Sequence, residues 1–198
     1  MTQTTNTPIP ARQRILDTAD RLFYSDGLRA TGIDRIIAES GVAKMSFYRH
    51  FPAKRDLIVA FLENRRMEWI GWFRTEVEAR LAKKGAGLEV IADVMDSWFA
   101  QSGFRGCTFA NTVAERAHGE EPIARVVADH ETDIANYVEE LAGRLGLSRP
   151  RQVAEAVAVV MEGLVVRAQI TGHYGDPAIG RMLLRGIARE FTRARPKS

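Results

Sequence analysis

One short segment early in the chain combines charged and hydroxyl side chains that could contact nucleic acid. Lys44 and Arg49 offer positive charge to phosphate groups, and Ser46 and Tyr48 offer hydroxyl groups. Met45 adds an apolar side chain that could contact the methyl group of a thymine. We therefore predict that this segment contacts DNA, provided that a rigid scaffold presents it.

Positive charge is concentrated around this segment. The 198-residue chain has a formal net charge of +3 and a sequence pI of about 9.2. Residues 1–55 hold nine Lys and Arg against five Asp and Glu, a net charge of +4, whereas the remaining residues have a net charge of −1. This distribution favours contact between the first quarter of the chain and a polyanion.

Three short helices are predicted to form the scaffold. Apolar residues recur at helical spacing over Ile15–Phe23, and Gly27 suits the left-handed position that ends a helix. Thr31 is predicted to cap a second helix, which ends at Gly41. A third helix runs over about residues 43–50, because a proline follows two residues later.

The last two of these helices form a helix-turn-helix pattern. The tight turn Ser40-Gly41-Val42 joins them. Phe47 and Phe51 are four residues apart and are predicted to pack inward on the first two helices. The second helix of such a pair normally enters the major groove, so the pattern places the segment that begins at Lys44 in that groove.

The rest of the chain carries longer helical stripes and no convincing strand alternation. Six further helices are predicted, which makes the fold all-α with about nine helices. The stripes run over about residues 57–81, 88–99, 107–118, 123–145, 151–171 and 178–194.

An ordered set of segments within the first 60 residues is the most specific signal in the chain. The longest is Phe47-Tyr48-Arg49-His50-Phe51-Pro52-Ala53-Lys54-Arg55-Asp56-Leu57. The others are Arg14–Ala19, Leu22–Phe23 with Asp26–Gly27, Ala30–Ile36 and Ser40–Lys44. Through these segments, residues 11–60 resemble the DNA-binding domain of the TetR family of bacterial transcriptional regulators.

The resemblance implies a dimer that binds a near-palindromic operator in double-stranded DNA. It implies base contacts by Met45 and Ser46. The charge of Arg49 predicts a further contact, with phosphate. The phosphate contacts that it implies are made by Thr31, Lys44, Tyr48, His50 and Lys54.

Two positions depart from the family's usual pattern. Ala43 stands where a capping Ser or Thr is common, and the loss of that cap costs about 1 kcal/mol of helix stability. Met45 stands where a small residue or proline is frequent. These departures bear on the sequence preference of the protein rather than on DNA binding itself.

Aromatic residues cluster between positions 69 and 137, and core packing is the simpler interpretation for each one alone. Together they suit an apolar pocket with few polar anchors, and the resemblance implies an effector pocket in this domain. Asn111 and Glu115 share a helix face with His118 and could supply the anchors. The predicted pocket residues are Trp69, Trp72, Phe73, Trp98, Phe99, Phe104, Cys107, Asn111, Glu115 and Tyr137.

Two C-terminal stripes are apolar over a wider arc than a surface helix needs, which predicts that they cover another surface. Together with the resemblance, they predict homodimerisation, and packing within one subunit is the alternative. The residues assigned to the dimer interface are Val153, Val157, Val160, Met161, Leu164, Ile179, Met182, Leu183 and Ile187.

The sequence thus predicts a helix-turn-helix DNA-binding domain at residues 1–55 and a ligand-binding and dimerisation domain at residues 56–198. The expected function is that of a transcriptional repressor, released from a palindromic operator by a small, largely apolar effector. A DNA-binding regulator without such an effector, or an activator, is the alternative.

Several kinds of chemistry are not expected. The chain has no Ser/His/Asp motif, Gly-rich phosphate loop or metal-ligand spacing, so we expect no enzyme activity, catalytic residue, metal or cofactor. Cys107 is interpreted as a small core residue, with a redox or electrophile sensor as the alternative. A single cysteine, no signal peptide and no membrane span favour a cytoplasmic protein without a membrane partner.

Overall fold

The computed structural model describes residues 9–115, 121–171 and 176–192. Within these ranges it contains nine α-helices and no β-strand, which confirms the predicted all-α fold. The helices are α1 (Ala11–Asp26), α2 (Ile33–Ser40), α3 (Lys44–His50), α4 (Lys54–Leu81), α5 (Val90–Phe99), α6 (Thr108–Glu115), α7 (Glu121–Arg144), α8 (Pro150–Thr171) and α9 (Pro177–Glu190).

Helices α1, α2 and α3 enclose a small apolar core. Phe47 and Phe51 are both buried, as their four-residue spacing predicts. Ile15 and Leu22 of α1 and Ile36 of α2 complete the packing around them. Burial of each large apolar side chain is worth about 1.5–3 kcal/mol, so this core fixes α3 firmly against the other two helices.

The turn between α1 and α2 differs from the expectation. Gly32, not Thr31, occupies the N-cap position of α2, and no side chain caps that helix. The Thr31 side chain is fully buried, and its hydroxyl donates a hydrogen bond to the Gly27 carbonyl oxygen at 2.8 Å. The capping prediction is therefore wrong, because the hydroxyl bonds backward along the chain and stabilises the turn after α1.

Helix α4 takes part in both halves of the molecule. Its 28 residues span about 42 Å at 1.5 Å per residue. Leu57 and Leu62 pack into the core of α1–α3, whereas Ile70 and Phe73 pack into a second core. Asp56 stabilises the start of the helix by accepting a hydrogen bond from the backbone N–H three residues earlier, at 3.0 Å. A displacement of α4 would therefore change the packing of both cores.

The second core is built by α5, α7, α8 and α9 around the later part of α4. Ile91, Leu141, Val157 and Leu184 are fully buried and come from these four helices in turn. Helix α9 begins at a proline, and the Asp176 carboxylate caps it by accepting a backbone N–H at 2.8 Å.

Helix α6 lies where the two halves meet. Phe109 on α6 packs into the core of α1–α3. Ala110 and Val113 on the same helix line a cavity on the side of the second core. Helix α6 therefore contacts both halves of the molecule.

Candidate functional site

Helix α3 presents an exposed face opposite its core. Met45 is 82% exposed and Tyr48 is 38% exposed, and Lys44 and Arg49 are exposed beside them. Ser46 is half-buried, and its hydroxyl accepts a hydrogen bond from Arg49 Nη2 at 3.2 Å. The structure thus brings these five predicted residues together on one cationic surface, which has the chemistry that a DNA groove requires.

Helix α3 starts without a side-chain cap. Ala43 has an extended backbone at the N-cap position, and its carbonyl oxygen accepts the Phe47 N–H at 3.0 Å. The α3 N-terminus therefore lacks the side-chain hydrogen bond that a Ser or Thr at this position would supply. Stability of α3 comes from the burial of its apolar face instead of from its terminus.

Ion pairs tie α1 and α2 together next to this surface. Arg35 pairs with Asp26 at the end of α1 and with Glu39 one turn further along α2. Arg21 on α1 also pairs with Glu39. Hydrogen bonds from Ser25 and from Arg35 lower the pKa of Asp26, so its charge persists into acidic solution. The network orients the scaffold, and the exposed Lys44 of α3 adds a contact to α2, at 3.4 Å from its Nζ to Asp34 Oδ1.

Three residues that the resemblance assigns to phosphate contacts lie beside or beneath the α3 face. His50 and Lys54 are half-buried, at the end of α3 and the start of α4. Thr31 is buried, with its hydroxyl committed to a carbonyl oxygen of the protein. The expectation of a phosphate contact by the Thr31 side chain is therefore corrected, since that side chain does not reach the surface.

The second half of the molecule contains a cavity of about 380 Å³, here called the main cavity. Its volume falls in the range of small-molecule sites, and most of its wall is apolar. Its lining residues are Trp69, Met95, Trp98, Cys107, Phe109, Ala110, Val113, Val127, His130, Glu131, Ile134, Ala158, Met161, Glu162, Val165 and Val166.

A smaller cavity of about 200 Å³, here called the side cavity, adjoins the main cavity. The two share Trp69, Trp98, Cys107, Phe109 and His130 as lining residues. The side cavity is more polar, because its wall adds Tyr24, Arg65, Glu68, Trp72, Gln101 and Thr108. All three tryptophans of the chain therefore line one cavity or both.

His130 lies between the two cavities and was not predicted. It is 2% exposed, stacks on the Phe109 ring at 3.7 Å between centroids, and meets the Trp69 ring edge-on. Burial lowers its pKa to about 4, with Asp133 opposing and Arg66 adding to the shift. Within the described residues, His130 Nδ1 and Trp69 Nε1 are buried without a hydrogen-bond partner. A polar residue on the apolar stripe of α7 was the sequence signal that could have revealed it.

Two carboxylates and a thiol set the electrostatics of the main cavity. Partial desolvation and the neighbouring Glu162 charge raise the pKa of Glu131. Burial raises the pKa of the Cys107 thiol, and the charges of Glu131 and Glu162 add to this effect although two backbone N–H groups oppose it. Cys107 is therefore held as a neutral thiol, which favours its interpretation as a small lining residue over that of a reactive one.

The predicted pocket residues separate into two groups. Trp69, Trp98 and Cys107 line both cavities, and Trp72 lines the side cavity. The others belong to the core or to the cleft between the halves, and these are Phe73, Phe99, Phe104, Asn111, Glu115 and Tyr137. His118, which the sequence placed with Asn111 and Glu115, lies outside the described residues.

Phe73 and Tyr137 are fully buried, and their rings meet edge-on. The Tyr137 hydroxyl donates to Glu78 Oε1 at 2.9 Å. Burial and the charge of Glu78 raise the pKa of Tyr137 above its ordinary value. Phe99 and Phe104 pack on Trp98 and line neither cavity. These four residues support the wall without forming it.

Asn111 and Glu115 face a cleft of about 280 Å³ between α6 and the N-terminal half. Glu115 Oε2 accepts the Arg29 backbone N–H at 2.9 Å. Asn111 Oδ1 accepts a hydrogen bond from Gln169 of α8, also at 2.9 Å. The Tyr24 hydroxyl accepts the backbone N–H of residue 105 at 2.9 Å. Polar contacts thus connect α8, α6 and α1 across this cleft.

Helices α8 and α9 expose a continuous set of apolar side chains. Of the predicted interface residues, Ile179, Met182 and Leu183 are exposed, and Val160 and Ile187 are half-buried. Val153, Val157, Met161 and Leu164 are instead buried within the subunit, so their assignment to the dimer interface is corrected. Sequence reasoning missed three exposed residues on α8, which are Val159, Val166 and Ile170.

Residues 9–115, 121–171 and 176–192 contain no group of three or more His, Cys, Asp or Glu side chains that could hold a metal ion. No helix within them is both long enough and apolar enough to cross a bilayer.

Comparison with known proteins places the chain among bacterial regulators. Residues 15–61 match the family model of bacterial regulatory proteins of the tetR family. The chain is 26% identical over 156 residues to the HTH-type transcriptional regulator LmrA of Bacillus subtilis, covering 77% of this chain and 83% of that protein. It is 25% identical over 165 residues to an uncharacterized HTH-type transcriptional regulator of Lactococcus lactis, covering 81% and 84%.

Solved structures agree with this placement over nearly the whole chain. The TetR-family regulator SCO4454 of Streptomyces coelicolor is 29% identical, with a TM-score of 0.76 over 92% of this chain and 96% of that chain. A tetR regulator of Streptomyces avermitilis is 25% identical, with a TM-score of 0.73 over 91% and 99%. These relatives are transcriptional regulators and not enzymes. Residues 15–61, which carry the exposed α3, thus resemble the DNA-binding domain of the tetR family, and over nearly its whole length the chain is similar to DNA-binding transcriptional regulators of that family.

Proposed function

We propose that the protein is a transcriptional repressor that binds a palindromic operator as a homodimer and leaves it when a small, largely apolar effector binds. In this proposal, residues 1–55 contact DNA, and residues 56–198 hold the effector and the dimer interface. The protein acts in the cytoplasm, where its DNA lies. The Leu57–Leu62 segment of α4 packs against the DNA-binding part and joins it to the rest.

DNA contact is supported by the exposed face of α3. In this proposal Met45 and Ser46 meet base edges, and the exposed Lys44, Tyr48 and Arg49 meet phosphates. His50 and Lys54, at the next turn, extend the phosphate-contacting set. The net positive charge of residues 1–55 would bring the face to DNA quickly and make binding depend on salt.

Dimerisation is supported by the apolar face of α8 and α9. Val159, Val166 and Ile170 follow one another at helical spacing on α8, and Met182 and Leu183 lie on α9. An exposed apolar surface of this kind marks a protein interface in soluble proteins. Pairing two copies through it would give four packed helices and would place two α3 helices at half-sites about 34 Å apart.

Release by an effector is supported by α6, and this observation carries the proposal. Ala110 and Val113 line the main cavity, while Glu115 at the end of the same helix bonds to the turn before α2. A ligand that shifts α6 would change the angle at which α3 is presented. The ligand can do so only by the difference between its affinities for the two arrangements.

The test is selection of bound sequences from a random duplex library with the purified protein at moderate salt. We expect recovery of a two-fold symmetric motif, which reports a dimer that reads bases. Recovery of sequence-blind, salt-sensitive binding alone would contradict the proposed operator recognition. A reporter gene placed downstream of the recovered motif then separates repression from activation.

A further inference from the structure

We propose that the effector is a lipophilic organic cation with an aromatic body, seated in the main cavity with its positive charge beside Glu131 and Glu162. The inference rests on the proposed function, because it names the class of ligand that the effector cavity takes. It is carried by the charges that line the cavity, by its aromatic wall and by two buried polar atoms.

The main cavity is negatively charged. Glu131 of α7 and Glu162 of α8 line it, and no Lys or Arg occurs among its described lining residues. Neither carboxylate forms an ion pair with any residue in the described ranges, in contrast to Asp133, which pairs with Arg66 two residues further along α7. Partial burial and, after it, the neighbouring charge of Glu162 raise the pKa of Glu131, so the two like charges repel each other. A cation between them would remove that repulsion.

The aromatic part of the cavity wall suits the body of such a ligand. Trp69 and Trp98 present indole rings to the cavity, and a cation held near an aromatic face is stabilised by the ring quadrupole. Met95 and Met161 add polarizable side chains that adapt to ligands of different shape. The rings would stack on an aromatic ligand while the carboxylates neutralise its charge.

His130 is the independent sign that a ligand binds here. Its side chain is almost wholly buried, it lines the main cavity, and its Nδ1 has no partner in the described part of the chain. The indole N–H of Trp69 is likewise buried without a hydrogen-bond partner among the described residues. Buried polar atoms are normally satisfied, so these two atoms mark positions that a polar group of a ligand would occupy. Since His130 stays neutral at pH 7, it adds no positive charge to the cavity.

The arginines near the two cavities do not offset this charge. Arg66 pairs with Asp133 at 2.7 Å and does not line the main cavity. Arg65 lines the side cavity rather than the main one, and its guanidinium donates to Asp20 at 2.7 Å. The same guanidinium lies 4.5 Å from the centre of the Tyr24 ring. Arg65 is therefore neutralised within the N-terminal half, and an anionic ligand would meet only repulsion from the carboxylates.

The proposed dimer would strengthen the preference. Glu162 lies on α8 between Val159 and Val166, both of which are exposed in the subunit. A partner packed on that face would remove water from Glu162, and a carboxylate that loses water needs a counter-charge. A bound organic cation would supply it.

The experiment compares three probes of similar shape and different charge on the purified full-length protein. These are tetraphenylphosphonium, neutral triphenylphosphine oxide and tetraphenylborate in sodium buffer. Quenching of tryptophan fluorescence and calorimetry report binding, because all three tryptophans line the two cavities. We expect the cation to bind about tenfold more tightly than the neutral probe, and the anion to bind least tightly.

Matched variants locate the charge. Glu131→Gln and Glu162→Gln should each weaken binding of the cation about fivefold to tenfold and leave the neutral probe unaffected. Glu139→Gln on α7 and Glu155→Gln on α8 are the controls, because these carboxylates are exposed, as those of Glu131 and Glu162 are, but do not line the cavity. Neither control should change the affinity for any probe.

Two results would overturn the proposal. One is a wild-type protein that binds a neutral or anionic probe as tightly as the cation, or that binds none of the probes. This comparison uses the wild-type protein alone, so it does not depend on whether variants fold. The other is unchanged cation binding in a folded Glu131→Gln/Glu162→Gln double variant. Operator selection decides the proposed function separately, so a protein that reads a symmetric motif but ignores the cation refutes the ligand class alone.

Discussion

The Glu115 carboxylate joins the two halves of the molecule by accepting the backbone N–H of Arg29 at 2.9 Å. Glu115 ends α6, whose Ala110 and Val113 line the main cavity, whereas Arg29 lies in the turn between α1 and α2. The contact therefore connects a helix that lines the cavity to the scaffold of α3. A change at the cavity that moves α6 must either carry this turn with it or break the bond.

Removal of that carboxylate should loosen the turn. Glu115→Ala leaves the Arg29 N–H without its acceptor, and we expect faster amide exchange at Arg29 together with a loss of about 1 kcal/mol in the free energy of unfolding. Hydrogen exchange and urea unfolding measure the two effects. Glu139→Ala on α7 is the control and should alter neither. Unchanged exchange at Arg29 in the Glu115 variant would show that the bond does not hold the turn.

Gly27 lies next to the same Glu115 carboxylate. Its φ is +91°, and an added Cβ would lie 3.0 Å from Glu115 Oε1. Gly27→Ala should therefore cost about 1 kcal/mol or more in urea unfolding. Gly71→Ala is the matched control, since Gly71 is exposed within α4 with nothing near its Cβ position, and this change should stabilise the protein by up to about 1 kcal/mol. Equal effects of the two changes would contradict the strain at Gly27.

The sequence was sufficient to predict the helices and the α3 surface because both depend on local spacing. Phe47 and Phe51 turn inward and Tyr48 stays exposed as their positions along one helix require. The cap at Thr31 was misassigned because a hydroxyl can bond backward or forward with the same local pattern.

The cavity could not be predicted in the same way. Glu131 and Glu162 come from different helices, and only the packing of α7 on α8 brings them to one wall. Periodicity marks a residue as facing inward, but it does not tell whether that residue meets another side chain or a cavity. For this reason the sequence predicts both Phe73 and Trp69, one turn apart on α4, as pocket residues. Of these two, only Trp69 lines the cavities.

A phosphate contact by Lys44 predicts a change in the salt dependence of operator binding. Lys44 is exposed at the start of α3, and Lys44→Ala should reduce the slope of log K against log salt concentration by about one unit. Fluorescence anisotropy with the selected duplex at several salt concentrations measures the slope. Lys84→Ala, exposed in the loop after α4, should leave it unchanged. An unaltered slope in the Lys44 variant would remove Lys44 from the contact set.

The apolar face of α8 and α9 predicts the oligomeric state. Ile170→Asp or Met182→Asp would place a charge at the centre of the proposed interface, and either change should convert a dimer into a monomer in analytical ultracentrifugation. Met67→Asp is the control, because Met67 is similarly exposed but lies on α4. Dimers that persist in both interface variants would move the interface elsewhere.

The buried imidazole of His130 predicts a dependence of stability on pH. Its pKa of about 4 lies below the ordinary value of 6.5, so the unfolded chain binds a proton that the folded chain rejects. The contribution of the neutral imidazole to the free energy of unfolding is therefore complete above about pH 6.5. It falls by about 2 kcal/mol as the pH drops to about 5. His130→Phe keeps a ring beside Phe109 and removes the titrating group, so its urea unfolding should lose this part of the pH dependence. Identical pH profiles for the two proteins, or an NMR titration of wild-type His130 near pH 6.5, would show that the imidazole is not desolvated as its burial indicates.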